Sequence, residues 1–343
     1  MNKIELTPTK DIKYSSRADI FKQKKEIMFS FISPILFALL MGLKSEVVQS
    51  LNGLDNIRLR ELARNYREGD GDCGICFEYS IHSAIRKNDP IIMQRINEAL
   101  NKCGISGKNT TSILLGFEKN RVLQINDELL SNLTESSTLI ADAFGNRIDL
   151  LEHIFNISNA FRNPNSRRYL PDVINGLWKA DLLLGNKEED LWAAVSVKIN
   201  PLSLVYANGI AIGIIPSRWN RIISIKTKGK MIVCPLIYDN GFMEYFYATW
   251  RTVKSFLKND AHIPNERLLP YVEQLQIAQV LESKRDTPVM EIVDDIFTKL
   301  AHKNIILPEK EPIITTDIFD TNPIENTNRS IIVPEIIIRN NTL

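Results

Sequence analysis

The sequence predicts an α/β fold, a central mixed β-sheet flanked by helices and entered through a helical N-terminal region. Three observations carry that prediction. Apolar residues recur at helical spacing over 73–86 and 242–257. Between those segments lie short apolar runs that read as strands, 180–184, 191–199 and 231–238, with a further apolar stretch over 208–216 that holds two glycines and ends at Pro216. The 343 residues are 44% hydrophobic and 24% charged, the composition of a globular chain that can bury a core without disulfide staples.

Taken in order, residues 1–25 are polar, and 27–65 read as helical, with Leu59, Leu62 and Ala63 spaced for one face. The break Glu-Gly-Asp-Gly-Asp at 68–72 precedes a strongly amphipathic helix over 73–86, whose apolar contributors are Ile75, Phe77, Ile81 and Ile85. Pro90 opens a further helix over 91–100. Residues 112–117 suit a strand, 148–161 a helix, and 162–169 a basic loop. The runs 180–184 and 191–199 are separated by Asn-Lys-Glu-Glu-Asp, the length of a hairpin connection. After the strand 231–238 come helices over 242–257, 268–282 and 289–302. From about 305 onward scattered Pro, Asn, Thr and acids without a period predict an extended tail. The expected organisation is a helical region 1–68, an α/β core 69–260, a helical segment 261–304 and a tail 305–343.

Lys plus Arg number 42 and Asp plus Glu 41, so a net charge of +1 exerts no global attraction on nucleic acid, and any such binding must come from local patches. Four cysteines, Cys73, Cys76, Cys103 and Cys234, are too few for a secreted disulfide framework, and no signal peptide precedes them; a cytoplasmic setting is expected. Residues 27–43 are apolar behind a Lys-rich flank, but they fall short of the ~20 residues a spanning helix needs and contain Pro34. The expectation is a buried or interface helix and not a membrane span. No P-loop, dinucleotide fingerprint or helical His-Glu-x-x-His occurs, so neither ATP use nor zinc-dependent peptide cleavage is encoded by motif.

The chemistry-bearing feature is a lone acid, Asp181, in one strand-like run and a lone base, Lys198, closing the next. Upstream, the helix over 73–86 carries Glu78 in Gly74-Ile75-Cys76-Phe77-Glu78. Helix glutamate, strand aspartate, then a hairpin to a strand ending Ser196-Val197-Lys198 resembles the PD-(D/E)XK nuclease superfamily, the fold of many restriction enzymes and DNA-repair nucleases. The matching region is about 71–258, and its motifs are short and degenerate. The departure is Ser196, where the family usually has Asp or Glu. No acid occurs between Lys198 and Asp239, so Glu78 or Glu244 would have to supply the missing charge, unless the fold binds DNA without cutting it.

The resemblance implies a restriction-endonuclease-like core cutting DNA phosphodiester bonds with Mg2+, for which Mn2+ can substitute. Asp181 and Glu78 would be metal ligands, Lys198 an electrostatic catalyst, and Ser196 a contact to water or to a ligating group. Strand alternation puts Ser196 and Lys198 on one face with Ala194. Arg167, Arg168, Arg218, Arg221 and Lys226 flank the motifs and are the candidate phosphate contacts, with Trp219 interleaved among them. By resemblance the setting is restriction or antiviral defence, the substrate double-stranded DNA and the assembly a homodimer, one that would admit a methyltransferase or ATPase partner.

Two other readings stay open. Cys73 or Cys76 at a helix start resembles the nucleophile turn of cysteine peptidases, although none of His82, His153, His262 and His302 sits in the sequence context expected of the base. The same Cys-x-x-Cys lacks a second pair for zinc. A noncatalytic interaction or membrane-associated subunit would instead draw on the 27–43 segment and the Ile-rich tail.

Overall fold

The apolar run near the N-terminus is a buried helix. In a computed structural model, which describes residues 17–67, 72–115, 129, 131–150, 153–204, 207–217, 224–236, 242–264 and 269–294, it is α1 (Arg17–Met41). Pro34 sits inside it, an insertion that costs about 3 kcal/mol in a helix interior. Packing outweighs that cost. Ile32, Ile35, Leu36 and Leu40 are fully buried, and burial stabilises by roughly 1.5–3 kcal/mol for each such side chain. No helix among the described residues is long and apolar enough to cross a membrane.

Short helices follow, α2 (Ser45–Ser50) and α3 (Leu59–Asn65), and then α4 (Cys73–Arg86). Asp72 starts α4 by accepting the Ile75 backbone N–H at 2.9 Å, satisfying one of the donors a helix leaves open at its first turn. Helix α5 (Pro90–Lys102) begins at Pro90 itself. Beyond the sheet strands lie α6 (Ile154–Arg162), α7 (Phe242–Lys258) and α8 (Val272–Ser283).

The sheet is mixed, as the sequence predicts. Its strands are β1 (Thr110–Leu114), β2 (Thr138–Ile140), β3 (Arg147–Asp149), β4 (Leu182–Asn186), β5 (Leu191–Val197), β6 (Ile212–Pro216), β7 (Lys226–Lys228) and β8 (Met231–Leu236). The main order is β1-β4-β5-β6-β8-β7. Strands β5, β6 and β8 run parallel, β1, β4 and β7 are antiparallel to their neighbours, and β2 pairs parallel with the start of β5. The hairpin forms as expected, but β4 lies two residues further on than the expected 180–184, so Asn186 closes the strand, Asp181 stands just ahead of it, and the turn is 187–190. Asp190, at the end of that turn, accepts hydrogen bonds from Thr134, from Ser136 Oγ (3.0 Å), from Ser137 Oγ (2.6 Å) and from Trp192 Nε1 (2.9 Å), which holds the turn to the segment leading into β2.

Each face of the sheet has its own core. Leu182, Leu184, Ala193, Val195 and Val197 pack with Phe77, Ile81, Phe246, Phe256 and the α1 side chains. Leu183, Trp192 and Ala194 pack on the other face with Ile154, Ile157 and Leu177.

Several local expectations are corrected. The helix expected over 148–161 starts only at Ile154, because Arg147–Asp149 is strand β3, paired with β2. The basic loop is a 3-10 helix, Pro164–Tyr169, capped by the Asn163 side chain on Asn165 N at 3.1 Å. The apolar stretch over 208–216, which the sequence does not assign to helix or strand, contains strand β6 from Ile212. The tail, helix 289–302 beyond residue 294, and Arg218, Trp219 and Arg221 lie outside the described residues.

Candidate active site

The three side chains singled out in the sequence meet at the carboxyl end of β5. Asp181 is the residue just ahead of β4, and its backbone is fixed on both sides. Its N–H donates to Val195 O at 2.8 Å, and its carbonyl accepts from Leu115 N at 2.9 Å. Lys198 follows β5 directly, and its N–H donates to Ile214 O at 2.9 Å, extending the β5–β6 ladder. Glu78 comes from α4, whose buried side chains share the core of the opposite face.

Lys198 Nζ lies 2.7 Å from Asp181 Oδ2 and 3.4 Å from Glu78 Oε1. The Asp181, Glu78 and Lys198 side chains are 7%, 12% and 30% exposed, so both acids are largely withdrawn from water and the ammonium reaches a surface opening. A buried carboxylate is costly unless its charge is met. Asp181 Oδ2 is met by the ammonium, by the Val197 N–H at 2.7 Å and by the Ser196 hydroxyl at 3.3 Å. Ser196, itself buried, thus orients Asp181 and adds no charge. Burial alone would lower the Lys198 pKa; the Asp181 and Glu78 charges, with their hydrogen bonds, outweigh it and hold the ammonium above the usual lysine value. The Val197 N–H is a member of the site that residue types cannot announce.

Two carboxylates converging on one point form a hard-oxygen donor set of the size Mg2+ uses when it keeps several waters. No group of three or more His, Cys, Asp or Glu with metal-binding geometry occurs among the described residues. Asp181 and Glu78 supply two carboxylate donors, and the Lys198 ammonium stands where they converge. Glu244 stands exposed in the first turn of α7.

Arg167 packs on Trp178, three residues before Asp181, its guanidinium carbon 4.0 Å from the ring centre. Arg168 lies over the ring of exposed Tyr169 at 4.9 Å and donates to its hydroxyl at 2.8 Å. Lys226 is exposed on edge strand β7. It shares a register row with the site, Ser196 to Gly213 to Val233 to Lys226, three strands or about 14 Å across.

The cysteines sit in different surroundings. Burial pushes the Cys73 thiol up to about 12, with the Asp72 charge adding to the shift. Cys76 is buried and raised further, again by burial first. His82 is buried on α4 with Nδ1 2.9 Å from Ser112 Oγ, and burial lowers its pKa to about 3. Compared with known proteins, the chain matches no family model, no curated protein and no solved structure.

Proposed function

We propose that the chain is a divalent-metal-dependent nuclease of the PD-(D/E)XK type that hydrolyses DNA phosphodiester bonds, acting in restriction or defence against foreign DNA. The observation that supports this most is the convergence of Glu78 and Asp181 on Lys198 Nζ at the carboxyl end of β5. In sheets of this kind ligands sit at the carboxyl ends of parallel strands. Phosphodiester hydrolysis needs positive charge where negative charge develops on phosphate oxygens, and a fixed ammonium supplies it without reorganisation.

Asp181 and Glu78 would hold Mg2+, or Mn2+ in its place; the cation would neutralise the phosphate and lower the pKa of a water. Lys198, kept cationic by its two acids, would face the scissile phosphate and orient the attacking water. Ser196 and the Val197 N–H keep the Asp181 carboxylate aimed. Arg167, Arg168 and Lys226 would bind neighbouring phosphates, and a homodimer would place two sites on the two strands of a duplex.

Ser196 favours one second reading, a relative of such nucleases that binds DNA without cutting. Where the family carries an acid, this hydroxyl is spent on Asp181. A peptidase has less support, since burial raises the Cys73 and Cys76 thiols, the direction opposite to an activated thiolate.

The test is a labelled duplex incubated with Mg2+ or with EDTA. The nuclease reading expects cuts only with the metal, and only by protein retaining Asp181 and Lys198. Binding without cuts under every divalent cation would favour the second reading.

A further inference from the structure

A second surface lies away from the Glu78–Asp181–Lys198 site, along the sheet edge. Strand β7 is Lys226-Thr227-Lys228, the turn after it is Gly229-Lys230, and all five residues are exposed. Lys226 and Lys228 are two residues apart on an edge strand, so their side chains share one face at a spacing of about 6.8 Å, comparable to that of successive phosphates.

Lys230 joins this row to another loop, because its carbonyl accepts the Ala143 N–H at 2.7 Å. That loop connects β2 to β3 and presents Phe144, 69% exposed, at its tip. The tip is held rigid. Buried Asp142 accepts from Phe144 N at 2.9 Å, Asn146 N at 3.3 Å and Asn146 Nδ2 at 2.7 Å, and Gly145 takes the positive φ of 80° that the turn needs. Exposed Arg147 opens β3 on the same loop.

Lysines on an edge strand discourage sheet-to-sheet association, and that alone would account for Lys226 and Lys228. It does not account for a large aromatic ring exposed to water beside them. An exposed ring on a well-held backbone next to a row of cations is the combination that binds a single nucleic-acid strand, with the ring stacking on a base and the cations tracking the backbone.

We propose that Phe144, Lys230, Lys228 and Lys226 form a stripe that binds single-stranded nucleic acid. The stripe ends at Lys226 in the register row of Ser196, so a strand lying along it is led toward the site. The choice of nucleic acid over another polyanion rests on the nuclease reading above.

The experiment measures binding of a fluorescein-labelled 30-nucleotide single-stranded DNA by anisotropy, in EDTA and over a salt series. The proteins are wild type, Phe144→Ala, and the triple variant Lys226→Gln, Lys228→Gln, Lys230→Gln, each checked for an unchanged melting temperature. Phe144→Ala is expected to weaken binding roughly tenfold at every salt concentration. The triple variant is expected to flatten the log–log salt slope by about 2, at about 0.7 per lost phosphate contact.

Wild-type affinity and slope in both variants would overturn the proposal. So would loss of binding to phosphatidylcholine–phosphatidylserine vesicles by the variants with oligonucleotide binding intact. The two readings fail separately: stripe-dependent binding without cleavage removes only the nuclease, and cleavage with binding indifferent to the stripe removes only the stripe.

Discussion

The Asp181 carboxylate is held by its surroundings. One oxygen faces an ammonium, a backbone N–H and a hydroxyl, and each is supplied by the strand that β4 pairs with. Removing the ammonium leaves two carboxylates withdrawn from water and facing each other. Breaking a buried pair costs about 3–5 kcal/mol. Because the Lys198 side chain keeps 30% exposure, Lys198→Met is expected near the low end, about 3 kcal/mol, read from urea midpoints. The pair Lys198→Met with Asp181→Asn should recover part of that loss in the same urea midpoints. The sign with pH follows from the raised pKa: the ion pairs' contribution is complete below the ordinary lysine value and is lost only as pH rises through the higher folded one.

His82 gives the opposite case. Its imidazole is neutral in the fold down to about 3, while an unfolded chain takes up that proton near 6.5. Stability should fall as pH drops below about 6.5, by up to about 1.4 kcal/mol per pH unit. Between pH 6 and 5, before most carboxylates titrate, urea midpoints of the wild type should fall more steeply than those of His82→Asn.

At the scale of elements, the hairpin that carries Asp181 to Lys198 depends on how the chain reaches it. The helical turn Asp172–Asn175 and Gly176 press against the loop at 207–209, so closely that a Cβ on Gly176 would stand 1.6 Å from Asn208 O. A backbone carbonyl cannot yield like a side-chain tip. Gly176→Ala is therefore expected to destabilise by roughly 2–4 kcal/mol, visible as a lower melting temperature.

Legibility in the sequence follows the same physics. Helix α4 was readable in the sequence, because a Gly/Asp break and a 3.6-residue apolar period agree there, and the Asp72 cap seen in the structure starts it at the same place. The β4–β5 hairpin was readable from two apolar runs and their polar turn. Strands β2, β3 and β7 were not, since three residues are too few for alternation to register, and Lys226–Lys228 is wholly exposed. The meeting of Glu78 with Asp181 and Lys198 could be expected only from the order of the motifs. What brings it about is long-range, a helix on one face reaching round the end of a strand to groups aligned with the other face. The Val197 N–H contact carries no residue-type signal at all.

At the scale of the whole molecule, two cores hold one sheet between them, and the site sits where its parallel strands end. Helix α1, with an apolar stretch that invites a membrane reading, is spent on the first of those cores. A net charge of +1 means that attraction to a polyanion must be local and must weaken steeply with salt. The candidate contacts, Arg167 on Trp178, Arg168 on Tyr169 and the lysines of β7, are patches of that kind.

The most direct test of the central claim is the rate at which supercoiled plasmid is nicked or linearised as Mg2+ is raised, for wild type, Asp181→Ala and Lys198→Ala purified identically. The account predicts a metal-dependent wild-type rate, lower by a factor of about 100 or more in either variant, with both variants still folded by circular dichroism. Equal rates in all three preparations, or nicking that persists in EDTA, would contradict it.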